Sequence, residues 1–300
     1  MQIDRWWILN LIRIGYDYED VVDTFELKWQ LLLQSKQVDE IEALVFGVLD
    51  WFVDIVSMLA NAKNYLPNLK AVFLGDIEDR DCMISSLPQY DDISSILLSY
   101  AQLEHIHVRC NNGRNGRTGE KRPEGMRFCS PLQHNYLKVL RIESGGLNSQ
   151  TLIDISQLEL PSLEYLELWL GAPEYGGNSS INDLMLIISG QKFPKLRYLG
   201  LRNCDYTDEI ATQLATSPLI RRLTELDLSM GTLGDEGLLA LLNSPFINEL
   251  DVLNVSQNYI TTDFIEKILP RFELDCQIVV DRQQCSKYVE PIQRYCAVAE

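Results

Sequence analysis

One six-residue pattern recurs along this chain and restricts its fold more than any other feature. It reads leucine, two free positions, leucine, one free position, leucine, with close apolar equivalents allowed. It stands at Leu69-Val72-Leu74, Leu103-Ile106-Val108, Leu137-Leu140-Ile142, Leu163-Leu166-Leu168, Leu196-Leu199-Leu201, Leu223-Leu226-Leu228 and Leu250-Leu253-Val255. A looser copy lies at Ile41-Leu44-Phe46. The first leucines of the last three copies are 27 residues apart. Two of these copies also share Asp-Glu after the pattern (Asp208-Glu209, Asp235-Glu236) and Ser-Pro-x-Ile before the next (Ser217 to Ile220, Ser244 to Ile247). A fixed period of this length is the mark of a repeat architecture.

The period dictates the unit. The alternating stretch predicts a short strand whose pattern residues point inward. Eight residues after the first leucine stand Asn111, Cys204 and Asn258 in three copies and Gly145, Gly171 and Gly231 in three others. Asn or Cys there can bond the backbone of the following turn, and Gly can allow a tight one. Eleven residues after the first leucine come Thr207, Gly234 and Thr261, acceptable helix N-caps. The acidic residues that follow suit the positive end of a helix. Helical spacing continues through Ile210-Leu214, Leu238-Leu241-Leu242 and Phe264-Ile265-Ile268-Leu269. Proline at 67, 161, 194, 218 and 245 ends each helix before the next strand. No such unit can cover its own apolar face, so units must stack. Parallel strands then line the concave side and helices the convex side of a curved solenoid. This is an α/β leucine-rich-repeat horseshoe, formed as one domain over 1–300. Residues 1–40 read as an N-terminal cap with a strand at Trp7–Ile14 and a helix at Tyr18–Ser35. Residues 41–272 are repeats, and 273–300, where the pattern degrades, read as a C-terminal cap.

Composition narrows the functional classes. The 300 residues carry a net charge of −17, which repels phosphate backbones and disfavours broad nucleic-acid binding. No run reaches the roughly 18–20 apolar residues that a membrane helix needs. Asp4, Asn10 and Arg13 interrupt the N-terminal apolar stretch, so a secretory leader is not expected. Seven cysteines, an odd number without C-x-x-C spacing, read as reduced thiols of a cytoplasmic protein. One insertion departs from the repeat. At 111–127 the chain is glycine-rich and basic (Arg114, Arg117, Lys121, Arg122, Arg127) with no helical period, and reads as a loop at the rim.

The stretches RIESGGL (141–147), LEYLELWLGAPEYGG (163–177), FPKLRYLGLRN (193–203) and LDLSMGTLGDEGLLALLNSP (226–245) resemble a family of bacterial cytosolic leucine-rich-repeat proteins of unassigned biochemical function. The resemblance covers roughly residues 40–270. It implies a ribonuclease-inhibitor-like repeat fold and implies no activity. The insertion at 111–127 is longer than the family usually has.

Residues between the pattern leucines should face the concave surface in three rows. Large and charged side chains crowd the middle repeats there: His105, His107, Arg109, Arg141, Tyr165, Glu167, Trp169, Tyr198 and Arg202. Trp, Tyr and Arg most often carry binding energy at interfaces, so this patch is the expected contact surface for another protein. The bland alternative is a self-neutralising charge ladder, Arg141 beside Glu167 and Arg109 beside Glu143. A competing functional reading is a metal- or small-ligand-dependent enzyme centred on His105 and His107, with Glu143 or Glu167 as a further ligand. Flanking arginines oppose a cation there, and no third ligand at fixed distance is evident. The turns GGLNS (145–149) and YGGNSS (175–180) could bind anions or simply shape the repeat. No Walker-type or dinucleotide-type glycine loop is present, so no cofactor is expected and the chain reads as non-catalytic.

Overall fold

A computed structural model describes residues 6–9, 19–47, 53–76, 87, 90–111, 125–129, 131–284 and 294–297. Among these residues ten strands form one parallel sheet in strict chain order. They are β1 (Trp6–Leu9), β2 (Ala43–Gly47), β3 (Ala71–Asp76), β4 (His105–Arg109), β5 (Val139–Glu143), β6 (Tyr165–Gly171), β7 (Tyr198–Cys204), β8 (Glu225–Asp227), β9 (Val252–Asn254) and β10 (Gln277–Val279). Helices alternate with them: α1 (Glu19–Leu33), α2 (Ile55–Asn61), α3 (Ser94–Ser99), α4 (Ser149–Gln157), α5 (Ile181–Ile188), α6 (Thr207–Ala215), α7 (Asp235–Leu242) and α8 (Thr262–Lys267). Parallel neighbours need a crossover, and these helices and short helical turns supply it for each pair except β4 and β5, between which no helix lies among the described residues. Helices also pack on one another in order, α2 on α3, α4 on α5, α5 on α6 and α6 on α7. The result is an α/β, repeat-like fold with an open sheet, compatible with a solenoid.

The hydrophobic pattern sets the register. Every pattern residue of the eight copies is buried, none more than 3% exposed. They merge with Leu152, Ile155, Leu184, Ile187, Ile210, Leu214, Leu238 and Leu241 of the helices into one continuous core. A slip of one residue would turn each strand's leucines outward, so the pattern fixes which residues face away from the helices.

Polar groups stitch one unit to the next. Buried Asn258 donates from Nδ2 to the carbonyls of Leu228, Val255 and Ser256, and its Oδ1 accepts from Leu233 N–H. Asp208 accepts from Gly234 N–H, and Asp235 accepts from Thr261 N–H, each at 2.8 Å. These Asp residues, expected only to suit the helix dipole, thus hold the next unit's turn. Thr261 caps α8 as expected, accepting from Phe264 N–H. Thr207 does not cap α6: it is already in the helix, and its hydroxyl donates to Cys204 O.

The ends differ in detail from expectation. The first strand is described over Trp6–Leu9 and so includes Trp6 ahead of the expected Trp7; residues 10–14 of the expected strand lie outside the described residues. The sheet continues into the expected C-terminal cap through β10. Residues 294–297 lie back on earlier repeats: Arg294 pairs with Asp208 at 2.8 Å, and Ala297 N–H donates to Met230 O.

Candidate functional site

The face of the sheet away from the helices carries the rows expected from the sequence. In the first, Ala71, His105, Val139, Tyr165, Tyr198 and Glu225 are neighbours across β3 to β8. In the second, Phe73, His107, Arg141, Glu167, Gly200 and Asp227 are neighbours. In the third, Arg109 stands beside Glu143 and Trp169 beside Arg202. Neighbouring strands are about 4.8 Å apart, so planar side chains at matching positions stack. Tyr165 and Tyr198 do so with centroids 3.9 Å apart, and Phe73 and His107 at 3.8 Å. Gly200 makes space for this: a Cβ there would meet the Tyr198 ring at 3.0 Å and Glu167 Cγ at 3.1 Å.

Two carboxylates organise the face from beneath. Glu143 is 0% exposed. Arg109 Nε donates to its Oε2 at 2.5 Å, Arg141 Nη2 lies 2.5 Å from its Oε1, and His107 Nε2 lies 2.9 Å from Oε1. Burial alone would raise this carboxyl, but His107, Arg109 and Arg141 together reverse it and hold it at about 2. Glu167 is 1% exposed. It accepts from Trp169 Nε1 at 2.8 Å, Arg202 Nη1 at 3.0 Å and the Tyr165 hydroxyl, and lies 3.2 Å from Arg141 Nε. Its carboxyl is also lowered: burial raises it, and the two arginines with the two ring donors outweigh that. Buried Asp227 continues the line, accepting from Tyr198 Oη at 3.2 Å and Asn254 Nδ2 at 3.0 Å. Burial beside Asp227 and Glu167 pushes the Tyr198 phenol far up, so it stays a neutral donor.

The nine expected contact residues therefore meet on one face, but not in one role. Glu167 and Trp169 are buried, at 1% and 9% exposure, and support the surface rather than form it. The guanidinium of Arg202 packs over the Trp169 ring at 5.3 Å. His105, His107, Arg109, Arg141, Tyr165, Tyr198 and Arg202 remain partly exposed. The charge ladder proposed as the bland alternative is present in full, and Arg202 and Asp227 extend it. His107 is committed to Glu143 and shares the second row with Arg141; burial lowers its pKa and Glu143 works against that. Among the described residues His105 Nε2 is buried without a hydrogen-bond partner. Among the described residues no group of three His, Cys, Asp or Glu side chains stands ready to hold a metal ion.

The glycine turns are closed on themselves. Gly146 N–H goes to Ser144 Oγ, Leu147 N–H to Leu170 O, Ser149 N–H to Asn178 Oδ1 and Ala172 N–H to Gly145 O. They shape the repeat and leave few amides for an anion. Residues 112–124 of the basic insertion lie outside the described residues. Its last arginine, Arg127, is anchored to Asp154, with Nε 2.6 Å from Oδ2. Beside it a cleft of about 600 Å³, lined by Asp91, Asp92, Phe128, Cys129 and Asp154, was not foreseen from the sequence. Its residues are distant in sequence and carry no motif. The Cys129 thiol there donates to Asp92 at 2.9 Å, a contact that raises its pKa.

The fold and face define a class: an α/β repeat-like protein with a polar, aromatic open sheet surface. No family model matches the chain, and no curated protein does. Among solved structures the chain is similar to a Bacteroides fragilis protein, with a TM-score of 0.77, 23% identity, and coverage of 95% of this chain and 76% of that one. At that identity the likeness establishes a shared fold alone. Among the described residues no helix is long and apolar enough to cross a membrane.

Proposed function

We propose that this chain is a leucine-rich-repeat solenoid of the ribonuclease-inhibitor-like kind, and that it binds another protein through the concave face of β4–β7. The period of 27 residues and the strict order of the parallel sheet support the repeat assignment. The observation that carries the binding reading is the make-up of that face. Stacked tyrosines and arginines, the residue types that dominate interface energetics, lie partly exposed and in register over buried acids. Their hydrogen bonds and stacking fix their rotamers in advance, which lowers the entropy lost on association. The protein acts as a non-catalytic scaffold. A bacterial, cytoplasmic setting fits the likeness to the Bacteroides fragilis protein and the absence of disulfides among the five described cysteines.

The test is capture from native lysate, with proteins identified by mass spectrometry. Wild type is compared with Tyr165→Ala/Tyr198→Ala, with thermal melting as the control for folding. A partner held by wild type and lost by the folded variant supports the reading. A partner held equally by both removes this face from consideration.

A further inference from the structure

Resting on the binding reading above, we infer that the partner segment received at the β4–β5 end of the face is acidic, and that Arg109 and Arg141 take its carboxylates. The charges at this end are layered. Glu143 and Glu167 lie sunk at 0% and 1% exposure, while the Arg109 and Arg141 side chains above them keep 22% and 31%. The pairs nearly balance in number, yet the negative ends are in the sheet and the positive ends face outward.

The arginines also have donors to offer. A guanidinium carries five N–H donors in a fork that matches a carboxylate. Arg109 donates from Nε to Glu143, and among the described residues its two terminal nitrogens make no hydrogen bond. Arg141 sits between two acids without full satisfaction by either. Its Nη2 is 2.5 Å from Glu143 and its buried Nε 3.2 Å from Glu167, while among the described residues its Nη1 makes no hydrogen bond and is the donor left for a partner. The two residues lie on adjacent strands, Arg109 one row along from Arg141, so one extended segment crossing the strands meets both. Arg109 packs over Phe73 at 5.6 Å, and Val139 lies half-buried in the first row between His105 and Tyr165. Apolar groups thus flank the donors, which suits carboxylates spaced along a peptide better than a continuous phosphate backbone. The net charge of −17 repels a polyanion at long range, so capture here is short-range and stereospecific.

Removing either arginine would strand a buried acid, so the test leaves both in place. A random-peptide display library is panned on the whole chain. The strongest peptide is titrated against wild type, Val139→Glu, Val139→Lys and Tyr165→Ala/Tyr198→Ala. The expected result is peptides rich in Asp and Glu, at least tenfold weaker binding to Val139→Glu, and unchanged or tighter binding to Val139→Lys. In the wild type, the Arg109 and Arg141 side-chain N–H signals in NMR spectra should shift on peptide addition. Neutral or basic peptides that still lose affinity for the tyrosine variant would overturn the inference and leave the binding reading standing. So would displacement of the peptide by inorganic phosphate, which would mark a phosphate site instead. Peptides that bind all four proteins equally, or no selected peptide at all, would overturn both.

Discussion

Glu143 is the point at which the face can be broken with least change of shape. Glu143→Gln keeps the volume and both side-chain positions but removes the charge that Arg109, Arg141 and His107 converge on. The carboxyl sits at about 2 in the folded protein against an ordinary value of 4.5. Its folded-state pKa is lowered, so its ionisation stabilises the fold above pH 4.5, and that contribution is lost as pH falls toward 2. At 1.36 kcal/mol per unit, the difference is about 3 kcal/mol at neutral pH. By pH 3 the same linkage leaves only about 1 kcal/mol. Glu143→Gln, like the protonated acid, lacks this contribution at every pH. Urea unfolding followed by far-ultraviolet circular dichroism, at pH 7, 5, 4 and 3, measures both proteins. The expected gap is about 3 kcal/mol at pH 7, closing progressively below pH 4.5. A gap below about 1 kcal/mol at pH 7, the range of exposed ion pairs, would refute the view that Glu143 is a buried organising charge. A gap that does not change with pH would refute the linkage.

Other predictions concern the repeat. Gly171 has φ +68°, and a Cβ there would stand 1.7 Å from Gly145 O, so Gly171→Ala should cost at least about 3 kcal/mol and lower the melting temperature by roughly 6–12 °C. At Gly190, φ +74°, the nearest atoms would be at 3.4 Å, so Gly190→Ala should cost only about 1–2 kcal/mol; equal costs for the two would refute the close-approach argument. Asn258→Ala leaves buried Leu228 O and Leu233 N–H without a partner, while Val255 O keeps Gln283 Nε2 and Ser256 O keeps Met230 N–H; it should cost about 3 kcal/mol in urea unfolding, whereas a loss under about 1 kcal/mol would contradict that accounting.

The strands were legible because the signal has period two and is repeated eight times. Leu163, Leu166 and Leu168 announce the inward face, and by elimination Tyr165, Glu167 and Trp169 the other. The rows across strands followed once each copy was aligned on its first leucine, because a parallel sheet in chain order puts equivalent positions side by side. Depth within the face was not legible. Glu167 and Arg141 alternate identically in sequence, yet one is buried and the other is not. The difference arises from side-chain length, from Gly200 next door, and from the tyrosine stack that closes over the acid. Asp227 is a similar case: it lies on β8, outside the crowded middle repeats, and Tyr198 and Asn254 draw it into the network. Thr207 misled for a local reason, since a hydroxyl that can cap a helix can equally bond the preceding turn. The cleft at Asp92, Cys129 and Asp154 depends on contacts 25 to 37 residues apart, which no local pattern encodes.

The proposed binding surface is the face of β4–β7. Isothermal titration calorimetry of a captured partner tests it most directly, with wild type, Tyr165→Ala/Tyr198→Ala, and a control on the helical side, Leu186→Ala, whose side chain is exposed on α5. Loss of two central aromatic anchors should weaken binding by about 2–4 kcal/mol, while the control binds as wild type does. Affinity within twofold of wild type for the folded tyrosine variant, or its loss in the Leu186 variant, would contradict the account.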